Sequence, residues 1–212
     1  MVHNPQLAAY MSTLIEAEDE PLRAARARSE ENDIDAVSAE TGAFLRFLAR
    51  AVKARSVVEV GSGGGYSGLW FLGGMDNKGI LTTIESDSDH QNLSQQAYGE
   101  AGQASRVRSL LGPALSMLPK LADDSYDIVF LDADPVEYPE YLEHGIRLLK
   151  PGGLLVAHGA LADGKIADPS EAGLQVDAMR QFNDLVAENP DFQVFLLPVG
   201  RGLLGAVWRA NA

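Results

Sequence analysis

Cysteine is absent from the 212-residue chain. That excludes disulfides, thiolate-bound metal and a cysteine nucleophile together. No apolar run is long enough to cross a bilayer, and the start, Met1-Val2-His3-Asn4-Pro5, has neither a basic segment nor an apolar signal core. A cytoplasmic protein with no membrane partner is therefore expected. Basic residues are scarce: 17 Lys and Arg against 30 Asp and Glu give a net charge of −13. Nucleic acid and anionic membrane are bound through clustered Lys and Arg, so both are disfavoured as partners, as is a polyanionic substrate such as an acyl-CoA thioester. Much of the acid lies in runs such as Glu16-Ala17-Glu18-Asp19-Glu20, which read as solvated surface. Repeats and low-complexity segments are also missing.

What the chain does have is a buried apolar run that ends in an acid and turns at once into glycine: Val57-Val58-Glu59-Val60-Gly61-Ser62-Gly63-Gly64-Gly65-Tyr66-Ser67. Residues 56–60 read as a central parallel strand and residues 66–72 as the helix after a tight turn. Glycine lets a ligand approach the backbone, and the first amides of the helix point at whatever binds. Such a turn also serves dinucleotide enzymes, but Glu59 would repel a pyrophosphate and attract an ammonium through the loop's polar groups or a water. S-adenosylmethionine, with its zwitterionic tail, sulfonium and adenosine, suits that environment. The bland alternative for Glu59 is a strand-end acid paired to a nearby amide. Glu85, at the end of the next strand, is placed to accept hydrogen bonds from both ribose hydroxyls, or else to cap the helix begun by Ser86-Asp87-Ser88. Gly112-Pro113-Ala114 reads as a flat turn beside the adenine, or as an ordinary helix start.

Along the chain, helical and strand patterns alternate. Helices are predicted over 6–16, 19–30, 41–53, 91–102, 114–121 and 139–149, with another marked by Val176, Met179, Phe182, Leu185 and Val186. Strands are predicted over 79–85, 106–111, 126–131 and 154–157. Two closing apolar runs, 192–198 and 203–208, flank Val199-Gly200-Arg201-Gly202 and read as a hairpin. The expected fold is one α/β domain with a seven-stranded Rossmann-like sheet, mostly parallel, the last strand antiparallel, and helices on both faces; a sheet closed by such a hairpin resembles the methyltransferase plan rather than a dinucleotide fold, which stays parallel. Residues 1–36 form a helical extension and residues 37–212 the cofactor-binding and catalytic core.

Residues 59–67, Gly112-Pro113-Ala114, Phe130-Leu131-Asp132-Ala133-Asp134 and Leu149-Lys150-Pro151-Gly152-Gly153 together resemble the class I O-methyltransferases related to catechol and caffeoyl-CoA O-methyltransferases. The resemblance runs from about Ser38 to the C-terminus. It implies a homodimer methylating a small hydroxylated, catechol-like acceptor. The cofactor residues expected from the loop, the ribose acid and the resemblance are Val37, Ser38, Glu59, Gly61, Ser62, Gly63, Gly65, Ser67, Glu85, Ser86, Gly112, Pro113, Ala114, Asp132 and Ala133. Phe192, Phe195 and Trp208 supply apolar surface for the dimer.

The catalytic half departs from the pattern. The resemblance implies a divalent metal held by Asp132 and an Asp-Asn pair after the fifth strand, but the pair here is His158-Gly159, and Pro135 replaces a lysine. A magnesium or calcium site has thus lost side-chain oxygens. His158 reads as a general base titrating at about 6–7, as a ligand with Asp132 for a softer ion, or as a hydrogen-bonded structural residue. Asp134 orients His158, binds a cation with Asp132, or caps the turn at Pro135. His3, His90 and His144 read as solvated. A non-catalytic binder of the cofactor, and less readily a nicotinamide-dependent reductase, remain as other readings.

Overall fold

The computed structural model describes Gln6, Tyr10 and residues 13–209. Seven strands, β1 (Ser56–Val60), β2 (Ile80–Glu85), β3 (Val107–Leu111), β4 (Tyr126–Leu131), β5 (Leu149–His158), β6 (Phe192–Leu197) and β7 (Leu203–Trp208), form one sheet of order 3-2-1-4-5-7-6. Strands β1 to β5 are parallel, and β7 runs antiparallel between β5 and β6. This is the methyltransferase sheet expected from the hairpin. Its order reverses between β1 and β4, and a crevice opens at their carboxyl ends.

Both faces of the sheet are buried, so the strands read as near-continuous apolar runs. Val57, Leu81, Ile128, Phe130 and Val156 pack one face against α2 (Ala39–Ala51) and α3 (Tyr66–Gly74) through Leu45, Ala49, Trp70 and Phe71. Val58, Val60, Val129, Leu131 and Leu155 pack the other against α6 (Tyr138–Leu148) and α7 (Leu174–Glu188) through Tyr141, Leu142, Met179 and Phe182. The helix α1 (Glu20–Glu31) starts at Asp19, whose carboxylate accepts from the Leu22 N–H at 3.1 Å. It buries Leu22 and Ala25 in the α2/α3 layer. Two further helices are α4 (Ser88–Glu100) and the short α5 (Ala114–Met117).

Some boundaries differ from expectation. The helix predicted to reach residue 121 leaves α-geometry after Met117 because Pro119 has no amide to donate, and residues 118–120 form a 3-10 turn. Strand β5 begins at Leu149, taking the Lys-Pro-Gly-Gly stretch with it, because Leu149 pairs with Tyr126 ahead of a register shift. Of the helix predicted over 6–16, Gln6 and Tyr10 are helical and Thr13 to Ile15 form a turn and bend. Residues 7–9, 11 and 12 of it, and His3, lie outside the described residues. Phe192 is buried edge-on against Trp208, with centroids 5.1 Å apart, so it is not the free surface expected of it, while Trp208 is half-buried. Phe195 lies over Gly205, where a Cβ would come within 2.2 Å of the ring. The large apolar residues left exposed near it are Phe47 and Leu196.

Candidate active site

The glycine loop is fixed by what surrounds it. Gly61 adopts φ +90°, and a Cβ there would lie 2.0 Å from the Asp132 carbonyl oxygen. Its N–H donates to the Ile84 carbonyl (2.9 Å), and the Asp132 N–H donates to that of Val60 (2.9 Å), which ties together the ends of β1, β2 and β4. Gly65 begins α3 at φ +86° with no capping side chain. It packs on Ser94 of α4, away from the ligand space.

A cleft of about 430 Å³ opens beside this loop, a volume suited to a small-molecule cofactor. Of the expected cofactor residues, Val37, Gly61, Ser62, Gly63, Ser67, Glu85, Ser86, Gly112, Pro113, Ala114, Asp132 and Ala133 line it, as does Asp134. Ser38, Glu59, Gly65 and His158 stand outside the lining. Ser38 instead caps α2, its Oγ accepting from the Thr41 N–H at 3.2 Å. The acids Asp35, Glu85, Asp132, Asp134 and Glu137 all face the cleft, and among the described residues no Lys or Arg lines it.

Glu85 is more heavily used than a ribose acid alone would be. Its Oε2 accepts from the N–H groups of Ser62 (3.1 Å) and Gly63 (3.0 Å), and its Oε1 from those of Ser86 (2.9 Å) and Asp87 (3.1 Å). Four backbone donors fill the acceptor positions of a carboxylate, so Glu85 holds the glycine loop to the turn after β2. The ribose role expected of Glu85 would require a hydroxyl to share or replace one of them. Asp87, not Glu85, caps α4.

Glu59 is fully buried behind Ser67, whose hydroxyl donates to Oε1 at 2.5 Å. Burial pushes the carboxyl up to about 8, against the Ser67 bond and helped by the charges of Asp132 and Glu85.

His158, at the end of β5, places Nδ1 2.8 Å from Asp132 Oδ1. The contact needs a proton between them, so Nδ1 carries hydrogen and Nε2 is left as the lone-pair nitrogen of the neutral ring. Nε2 is buried without a partner. A Cβ on Gly200 would lie 3.4 Å from it, 2.7 Å from Thr41 Oγ1 and 3.6 Å from Ser38 Oγ, so the glycine keeps open the space in front of the ring. Burial lowers the ring's pKa, and the Asp132 bond and charge overcome this, leaving it above the ordinary histidine value. Tyr138, buried, donates to the Leu131 carbonyl (3.0 Å) and accepts from the Ala133 N–H (3.2 Å), which fixes the backbone on either side of Asp132. Arg201 holds the hairpin turn over this corner by pairing with Asp35 (2.7 Å) and Asp163 (3.1 Å).

The comparisons with known proteins agree with this geometry. A family model described as O-methyltransferase matches residues 10–207. The chain belongs to the O-methyltransferase family. With the sheet order above, it is a class I, S-adenosylmethionine-dependent O-methyltransferase. A curated relative from Mycolicibacterium smegmatis, named as an O-methyltransferase, is 44% identical over 192 residues, 90% of this chain and 91% of its own. Among solved structures, cofactor-bound Rv0187 from MTB superposes with a TM-score of 0.90 at 32% identity over 100% of both chains. The O-methyltransferase TomG from Streptomyces achromogenes, involved in tomaymycin synthesis and solved with S-adenosylmethionine, gives 0.89 at 31% identity over 98% of this chain and 99% of its own. The family match begins at residue 10, well before Ser38, where the sequence motifs alone place the start of the resemblance.

In this O-methyltransferase the residues present do not fit a hard divalent ion. Asp132 is engaged by His158, Gly159 offers no side chain, and Asp134 accepts from the Val136 N–H at 3.1 Å, capping the turn at Pro135 without reaching His158. No cluster of three metal-ligating side chains occurs among the described residues. Sequence reasoning also missed part of the cleft wall: Ser29, Asp35, Tyr66 and Glu137 line it, and so does His90, which reads as solvated in sequence. One signal was available for Tyr66, the first residue after the glycines. Its hydroxyl donates to Glu18 at 2.6 Å, and Arg26 binds Glu18 from α1.

Proposed function

We propose that the protein transfers the methyl group of S-adenosylmethionine to a hydroxyl of a small, catechol-like acceptor, and that His158 takes the hydroxyl proton. The observation that carries the cofactor half is the charge of the cleft: five acids and no Lys or Arg among its described lining residues suit a sulfonium and an ammonium and oppose a pyrophosphate. Bound S-adenosylmethionine supplies a methyl group open to in-line displacement. The protein's share is positioning and deprotonation. Gly61, Gly63 and Ser62 let the ligand approach the backbone, Glu85 shapes that loop beside the ribose, and Gly112 to Ala114 flank the adenine. Asp132 fixes the tautomer of His158 so that Nε2 faces the acceptor. Two solved relatives carry S-adenosylmethionine or its product, TomG and the Bacillus cereus O-methyltransferase, the latter 27% identical with a TM-score of 0.88 over 96% of this chain and 97% of its own. Calorimetry should show S-adenosylmethionine and S-adenosylhomocysteine binding and NAD not binding. Tight NAD binding would remove the reading.

A second reading, a non-catalytic binder of the same cofactor, is favoured by one observation: His158 lies outside the cleft lining with Nε2 buried. A homodimer covering Phe47 is part of the proposal, since that residue is 62% exposed and its ring stacks beside that of Phe44. Light scattering at micromolar concentration should give twice the 22.7 kDa chain mass. A monomer mass across that range would refute it.

A further inference from the structure

Glu59 is the buried titratable group that methyl transfer itself leaves unexplained. It is 0% exposed, and its Oε2 has no hydrogen-bond partner. Two other buried oxygens on the same face of the sheet are also unpartnered: Thr83 Oγ1, from the residue paired with Glu59 across β2, and the Tyr98 hydroxyl from α4. The charged groups that act on Glu59, Asp132 beyond β4 and Glu85 at the end of β2, are both acids. A carboxylate enclosed by carboxylates is costly unless a cation arrives or a proton stays.

Ser67 stands between Glu59 and the cleft, bonded to the first and lining the second. A hydroxyl has one proton to give and two lone pairs. When Glu59 is charged, the Ser67 proton must point at it, and the lone pairs that remain can face the cleft and suit an ammonium. When Glu59 is protonated, the acid can donate to Ser67, and the Ser67 proton is freed to face the cleft, where it repels an ammonium. The state of Glu59 therefore sets the polarity that Ser67 shows to a ligand.

We propose that Glu59 is a positioning residue, acting through Ser67, that holds a proton until the cofactor's amino-acid tail binds and then releases it to solvent. The inference rests on the S-adenosylmethionine reading above. With its carboxyl pushed up to about 8, Glu59 holds the proton at pH 7 before the ligand arrives. The sign follows: the ligand favours the charged form, so affinity rises with pH by up to about tenfold per unit below the unliganded pKa and levels off above it.

The test is calorimetric titration of the full chain with S-adenosylhomocysteine at pH 7, in buffers of different ionisation enthalpy. Wild type should release close to one proton per ligand bound. 5′-Methylthioadenosine, which lacks the amino-acid tail, should release none. Glu59→Gln should bind the full ligand with no release and with affinity flat between pH 6 and 8 in place of the wild-type rise. The Gln variant also excludes His90, which lines the same cleft, as the source of the proton. Should Glu59→Gln fail to fold, the wild-type comparison of the two ligands decides. Binding by wild type without proton release, equal release with methylthioadenosine, or unchanged release from Glu59→Gln would overturn the role of Glu59 and leave the cofactor assignment standing. Failure of S-adenosylhomocysteine to bind at all would overturn the cofactor assignment, and this inference with it.

Discussion

Alanine in place of His158 is expected to lower kcat by about 10²–10⁴-fold, the usual contribution of a positioned general base. Affinity for S-adenosylhomocysteine should hardly move, because His158 does not line the cleft. Asp132→Asn should also slow turnover, since an amide NH₂ facing Nδ1 favours the tautomer with its proton on Nε2 and so removes the basic lone pair. The pH profile adds a sign. Because Asp132 holds the His158 pKa above the ordinary histidine value, the rising limb of kcat should lie above about 6.5. A His158→Ala enzyme with wild-type kcat, inactivated by chelator and restored by magnesium, would instead mean that the family's metal chemistry survives on other ligands.

Glu85→Ala should have the second largest effect. The variant loses the acceptor for four backbone N–H groups, two in the glycine loop and two in the turn after β2. Bonds to a charged acceptor contribute about 1.5–3 kcal/mol, so loss of even one on the ligand side weakens cofactor binding by roughly 10–150-fold. Melting temperature should fall as well, because the loop's amides lose their partner inside the protein. Glu85→Gln should recover part of both losses through its one acceptor oxygen. Wild-type affinity together with wild-type stability in Glu85→Ala would remove Glu85 from the site.

The parts of this molecule that could be read in its sequence are those whose cause is local. Glycine at 61 is demanded by its own positive φ and by the neighbouring backbone, and the hairpin at 199–202 is punctuated by its glycines. The antiparallel last strand was legible because the closing hairpin implied it, whereas the strand order is set by packing between distant segments. What escaped was decided by packing across the chain. Ser38 and Val37 are adjacent, but only Val37 reaches the cleft, since Ser38 is taken as a helix cap. Glu85 was legible as an acid at a strand end, whereas its four amide partners come from two segments that sequence spacing cannot bring together. Ser29, Asp35 and Tyr66 join the wall because α1 docks on α3 and α4, a tertiary contact with no motif of its own. His158 was legible as a departure from the family's metal site. Its bond to Asp132 depends on β4 and β5 lying side by side.

The most direct measurement is methyl transfer from isotopically labelled S-adenosylmethionine to a panel of catechols and simpler phenols, followed by mass spectrometry, run with chelator and again with magnesium in excess. The account predicts a singly methylated product from at least one phenol, made by wild type and lost in His158→Ala. Cofactor binding by wild type with no methylated product from any phenol, with or without added magnesium, would contradict it and leave the protein a binder of the cofactor alone.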